Sequence, residues 1–176
     1  MTDHVLELRQ YTLHPGQRDV LIDLFERLFV AGQEEAGMGI PGHFRDWDDP
    51  DRFVWLRTFP DMESRKDMLH AFYYGPVWQA HRNEANATMI DSDNVLLLEP
   101  ATPGSPPPGR STVEISVYER SKAPSLTAGG TGYVTKHAEN TFPALPVREG
   151  EDVYVWFAQR LGQAPDEGLI SRVRVY

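Results

Sequence analysis

The sequence predicts an α+β chain: a ferredoxin-like βαββαβ unit followed by a strand-rich, degenerate second repeat. Three observations carry that prediction. A hairpin runs from His43 to Pro60, two β-rich runs around the turn formers Asp48-Asp49-Pro50-Asp51. The hydrophobic period alternates between two and 3.6 in the order strand, helix, strand, strand, helix, strand. Beyond a Pro/Gly-rich stretch, parts of the first half recur.

The first strand is Val5 to Leu13, with Leu6 and Leu8 on one side and Glu7, Arg9 and Tyr11 on the other; His14-Pro15-Gly16 ends it. Leu21, Leu24, Phe25, Leu28 and Phe29 then fall at helical spacing, and Gly37 suits the stop of that helix. In the hairpin's second strand, Phe53, Trp55, Arg57 and Phe59 alternate with Val54, Leu56 and Thr58. Asp61 is placed to cap a second helix with Met68, Leu69 and Phe72 as its apolar stripe. Gly75-Pro76 breaks that helix, and a further segment runs from Val77 to about Met89. Asp91-Ser92-Asp93-Asn94 reads as a turn and Val95 to Leu98 as a short fourth strand.

The domain plan is therefore a ferredoxin-like unit at 1–99, a polyproline-type linker at 100–111 and a helix-poor second repeat at 112–176. In the repeat, Glu114-Ile-Ser-Val-Tyr118 echoes Glu7-Leu-Arg-Gln-Tyr11, Val153-Tyr-Val-Trp-Phe157 echoes Arg52-Phe-Val-Trp-Leu56, and Ser171 to Tyr176 supplies a last strand. Ser121 to Asn140 shows no helical stripe, and its Ala128-Gly-Gly-Thr-Gly132 reads as a flexible connection.

Both halves sort residues onto one aliphatic and one aromatic, charged face. The expectation is that the first half's helices cover its aliphatic face. The Trp, Phe and Tyr of the other face then call for a second sheet, from the C-terminal half or from another subunit. On that ground the chain is expected to be a homodimer or a higher oligomer.

Composition narrows the function. The chain has 176 residues, 40% of them hydrophobic and 24% charged, and a net charge of −9. That charge argues against nucleic acid, which needs a basic face. No apolar run approaches the roughly 20 residues of a membrane span, and Met-Thr-Asp-His-Val-Leu-Glu-Leu has no signal-peptide character. With no cysteine, thiolate chemistry and disulfides are excluded, and the expected location is the cytoplasm. The six histidines lack metal-ligand spacing, and Asp46, Asp48, Asp49, Asp51 and Asp61 read as a solvated turn rather than a calcium loop. Neither a metal nor a cofactor is expected.

Several long runs resemble the NIPSNAP family. They are Glu7-Leu-Arg-Gln-Tyr-Thr-Leu-His-Pro-Gly16, Phe44 to Met62, Ala71-Phe-Tyr-Tyr-Gly-Pro-Val-Trp78, Ala85-Asn-Ala-Thr-Met89 and Asp91 to Leu98. The likeness resumes from Asn140 to Phe157, as in tandem bacterial members. The missing helices after Ser121 and Ala158 depart from a full second unit. The resemblance implies the dimeric α/β barrel superfamily, whose members include cofactor-independent monooxygenases, isomerases and haem proteins that use the cleft between sheet and helices. Material matching such a cleft is Tyr11, His43, Arg45, Trp47, Trp55, Arg57, Tyr73, Tyr74, Trp78 and Arg82 for ligand binding, with His81 as a candidate general base. The expected function is binding of a small aromatic or acidic molecule, extending to monooxygenase or isomerase-type chemistry. The alternative is a non-enzymatic oligomeric interaction protein without a ligand.

Overall fold

The computed structural model describes residues 4–176. Strand β1 (Val5–Leu13) leads into a continuous helical run: α1 (Arg18–Leu24), a π-helical turn (Phe25–Phe29) and α2 (Val30–Glu35). The hairpin of β2 (Gly39–Arg45) and β3 (Arg52–Phe59) follows, then α3 (Met62–Tyr73), α4 (Pro76–Ala87) and β4 (Met89–Pro100). The second half contributes β5 (Glu114–Glu119), β6 (Gly130–Thr135), β7 (Val153–Ala158) and β8 (Leu169–Arg174), with a single 3₁₀ turn at Arg120–Lys122. Asp61 caps α3 as its sequence position predicts, its carboxylate accepting from Ser64 N at 2.7 Å.

All eight strands form one antiparallel sheet in the order β2-β3-β1-β4-β6-β7-β5-β8. The first four repeat the ferredoxin-like order, and the second four repeat it again with every strand number raised by four. One seam joins β4 to β6, with Leu98 opposite Thr135 and Pro100 opposite Tyr133. At the other seam the chain end beyond β8 meets the end of β2. Asp46 bridges to Val175, Arg45 N donates to Tyr176 O at 2.8 Å and Trp47 N to Arg174 O at 3.0 Å. Each seam thus joins the fourth strand of one half to the second strand of the other. The sheet closes into a barrel, with a pseudo-two-fold relation between its halves, inside one chain.

The barrel interior is aliphatic. Leu6, Leu8, Val54, Leu56, Leu96 and Leu98 of the first half meet Ile115, Val117, Val153, Val155, Phe157 and Val173 of the second. The other face of the first half carries Tyr11, Phe53, Trp55 and Phe59 under the helices. The sorting of residues between faces is as predicted, but the covers are exchanged. Helices lie on the aromatic, charged face, and the aliphatic face turns inward. The physical reason is that a closed interior of small radius has no partners for Glu7, Arg9 and Arg57. Branched aliphatics fill such a space without polar atoms to satisfy. The C-terminal half supplies a second sheet, but over the aliphatic face rather than the aromatic one for which it was expected, so covering the sheet requires no second copy.

Two local expectations are corrected. Asp91 to Asn94 belongs to β4, where register shifts between Gln10 and Leu13 of β1 absorb the irregularity. The Gly-rich run is strand β6 rather than a flexible connection. Its glycines are required by neighbours on β7: a Cβ on Gly130 would stand 2.8 Å from Trp156 ring carbons, and one on Gly132 would collide with the Tyr154 hydroxyl.

No helix covers the second half's outer face. Arg172 instead pins the loop after β7, donating to Ala164 O and Pro165 O at 2.9 Å each, while Tyr118 donates to Pro165 O at 2.7 Å. The connection between β6 and β7 crosses back to the first half, where Phe142 and Leu145 join the helix-side core. Lys136 N and Arg148 N tie its two ends to β4 through Leu97 O and Val95 O, each at 2.9 Å.

A candidate site between sheet and helices

Residues on the helix-facing side of β1 and β3 alternate in register: Glu7 lies opposite Arg57, Arg9 opposite Trp55 and Tyr11 opposite Phe53. Glu7, Arg57 and Arg65 are fully buried and Arg9 is nearly so. Glu7 Oε1 accepts from Arg9 Nη1 at 2.7 Å and from Arg57 Nε at 2.9 Å, and its Oε2 accepts from Arg65 Nε at 2.8 Å. Arg57 Nη1 also donates to Gln33 Oε1 at 2.8 Å and to Tyr73 Oη at 2.9 Å. Arg65 Nη1 reaches Asn140 on the returning connection at 3.1 Å, and Arg9 Nε reaches Tyr11 Oη at 3.1 Å.

Burial alone would push the Glu7 carboxyl up; the guanidiniums of Arg57, Arg9 and Arg65 outweigh it and hold the group well below the usual carboxylate range. Burial likewise opposes the charge of Arg9, and Tyr11 and Glu7 outweigh it, so Arg9 stays cationic. The Tyr11 hydroxyl is pushed up by its burial and remains a neutral O–H donor. Three guanidiniums share one carboxylate. Ring faces spread the surplus charge: Arg57 lies 4.9 Å and Arg9 5.3 Å from the centre of Trp55, and Arg65 lies 5.7 Å from that of Phe59.

A cavity of about 30 Å³ adjoins this cluster. Tyr11, Phe53 and Trp55 form its floor on the sheet. Leu21, Phe25, Phe29 and Gln33 wall it from the first helical run, and Phe72, Tyr73, Trp78 and Met89 close it. The π-helical turn sets Phe25 and Phe29 here, ringed by edge-on contacts such as Phe25 to Trp55 at 4.9 Å between centres. Gln33 fixes the helix to the cluster, donating to Phe29 O at 3.1 Å while accepting from Arg57. The Trp55 indole N–H is buried and has no acceptor among the described residues.

Of the residues the sequence proposed for a cleft, Tyr11, Trp55, Tyr73 and Trp78 line this cavity, and Arg57 bonds to one of its walls. The others lie elsewhere. His43 packs against the far side of Phe25 at 5.2 Å and pairs with Glu26 at 3.2 Å. Arg45 points along the surface toward Asp19, and Trp47 stacks on Tyr176 at the second seam, 59% exposed. Tyr74 is exposed against His70, Arg82 is exposed on α4, and His81 pairs with Glu84 at 3.1 Å on that helix. None of the cavity-lining residues is a carboxylate or an imidazole.

Sequence reasoning left out Glu7, Arg9, Gln33, Arg65 and Asn140 as site residues. Arg65 carried a readable signal, because it shares the buried stripe of α3 with Leu69 and Phe72 at spacings of four and three. A charge at such a position needs a buried partner.

The NIPSNAP family model matches residues 6–103, the span that runs from β1 to β4 and includes α1 to α4. The chain belongs to the NIPSNAP family. Among solved structures, it is 23% identical to an uncharacterized NIPSNAP-like domain protein from Burkholderia xenovorans, with a TM-score of 0.53 over 61% of this chain and 92% of that one. A NIPSNAP family protein from Agrobacterium tumefaciens is 19% identical, with a TM-score of 0.54 over 60% of this chain and 92% of that one. At these identities the likeness shows the fold alone. No curated protein matches the chain. As a NIPSNAP chain, it pairs the family unit with a second set of four strands that completes the barrel. Among the described residues no helix is long and apolar enough to cross a membrane, and no group of three or more His, Asp or Glu is placed to hold a metal ion.

Proposed function

We propose that this NIPSNAP protein binds a small aromatic or acidic molecule in the space between the helices and the β1–β3 floor. One observation carries the reading: the buried indole N–H of Trp55, on the floor of an aromatic cavity, has no acceptor among the described residues. A buried donor left unpaired is unfavourable by about 1–3 kcal/mol, which a bound acceptor offsets. A cavity of about 30 Å³ holds one or two water-sized groups, so a ring-bearing ligand needs the wall to give way. Helix α4 is the wall that yields, because Ala85 is its only buried residue and Trp78 is its contribution to the cavity.

Binding is favoured over the isomerase or monooxygenase extension because the lining offers no carboxylate or imidazole to take a proton. His81, facing Glu84, stands outside that lining. The test is native mass spectrometry of the purified chain against its denatured mass, followed by tryptophan fluorescence titration with the retained species. Expected is a bound small molecule whose affinity falls at least tenfold in Trp55→Phe. Unchanged affinity in that variant refutes the site.

A further inference from the structure

The donors around this cavity outnumber its acceptors, and that imbalance specifies the ligand's charge. Tyr11 Oη accepts from Arg9, and Tyr73 Oη accepts from Arg57, so each hydroxyl's own proton points to a further partner. Neither finds an acceptor among the described residues, and neither does the Trp55 N–H. The amide of Gln33 is engaged on both sides. Water fits such a place poorly. It accepts two hydrogen bonds but must also donate two, and the remaining lining is Leu, Phe, Trp and Met. A carboxylate suits it, being acceptor-only with about four lone-pair sites. Charge agrees with hydrogen-bonding capacity: among the described residues Glu7 alone pairs with Arg9, Arg57 and Arg65, leaving the cluster behind the floor with surplus positive charge.

We infer that the ligand is a small aromatic acid bound as its carboxylate, with the oxygens taken by Tyr11, Trp55 and Tyr73 and the ring lying among Phe25, Phe29 and Trp78. This rests on the cavity reading above and adds the ligand's charge to it. The two phenols act as relays. Each already accepts from a guanidinium, which polarises its O–H and strengthens the bond it gives to an anion.

Isothermal titration of the full chain with sodium benzoate, benzamide and benzyl alcohol tests the inference. The three probes share a ring and differ in headgroup charge. Expected is benzoate binding roughly tenfold or more tightly than either neutral probe, as charge-assisted hydrogen bonds predict. Tyr11→Phe and Trp55→Phe should each weaken benzoate about five- to twentyfold and leave benzyl alcohol within about twofold. Their melting midpoints are measured alongside, and Tyr73→Phe replaces whichever variant fails to fold. Equal binding of all three probes, weakened together by Trp55→Phe, overturns the anion inference and leaves the cavity reading standing. Benzoate binding indifferent to all three variants places it elsewhere and overturns the inference. Absence of binding by every probe overturns both readings.

Discussion

Replacing Glu7 by glutamine leaves Arg9, Arg57 and Arg65 buried with no anion between them, and uncompensated buried charge is the most expensive defect a core can carry. The expected loss is about 3–5 kcal/mol in urea denaturation. The same residue sets the acid limb of stability. Its folded pKa is depressed below its unfolded value of 4.5, so its contribution is present above that value and is lost as pH falls through the folded pKa. Urea midpoints should therefore decline below about pH 4.5 in the wild type, and Glu7→Gln should flatten that decline. At this scale the sequence spoke through pattern but not through distance. Glu7, Arg9 and Arg57 were legible as sharing a strand face with Tyr11 and Trp55. That Glu7 stands opposite Arg57 depends on register, which side-chain alternation alone leaves open by two-residue steps.

Strand β6 is the element that periodicity could not reach. Helical stripes and strand alternation are written by apolar side chains, and Gly130-Thr131-Gly132 has none to write with. Its strand character comes from Tyr154 and Trp156 on β7, which lie where Cβ atoms would otherwise stand. Gly132→Ala is accordingly expected to destabilise by about 1–3 kcal/mol through overpacking against Tyr154. Combining it with Tyr154→Ala should recover part of that loss, a non-additivity that a double-mutant cycle in urea measures directly. The connection after β6 was equally silent, because its docking depends on single contacts rather than a repeat. Asn140 accepts from both Arg65 and Phe142 N and donates to Leu145 O, so Asn140→Ala should loosen residues 138–147 and speed their amide exchange relative to the barrel strands.

Closure belongs to the whole molecule, and it changes what an exposed sheet face means. A single βαββαβ unit leaves Leu6, Leu8, Val54, Leu56, Leu96 and Leu98 in water, whereas the sequence placed the need for a second sheet on the aromatic face. Here Ile115, Val117, Val153, Val155 and Phe157 are attached through residues 101–113, so closing the barrel is intramolecular and gains the effective concentration of a short tether. The pseudo-two-fold relation shows why helices could be lost from the second half without losing the barrel. The interior needs only the strands' aliphatic face, and the outer face is held by Arg172 and Tyr118 gripping a loop. The first half alone, residues 1–103, retains the helix-covered face but loses its inner cover. It is expected to self-associate through that face when analysed by sedimentation velocity. Supplying residues 112–176 in trans should compete with that association, because the second half offers the matching aliphatic row and both seam strands. A monomeric, cooperatively folded 1–103 fragment would show instead that the helix-side core is sufficient and that the inner face tolerates water.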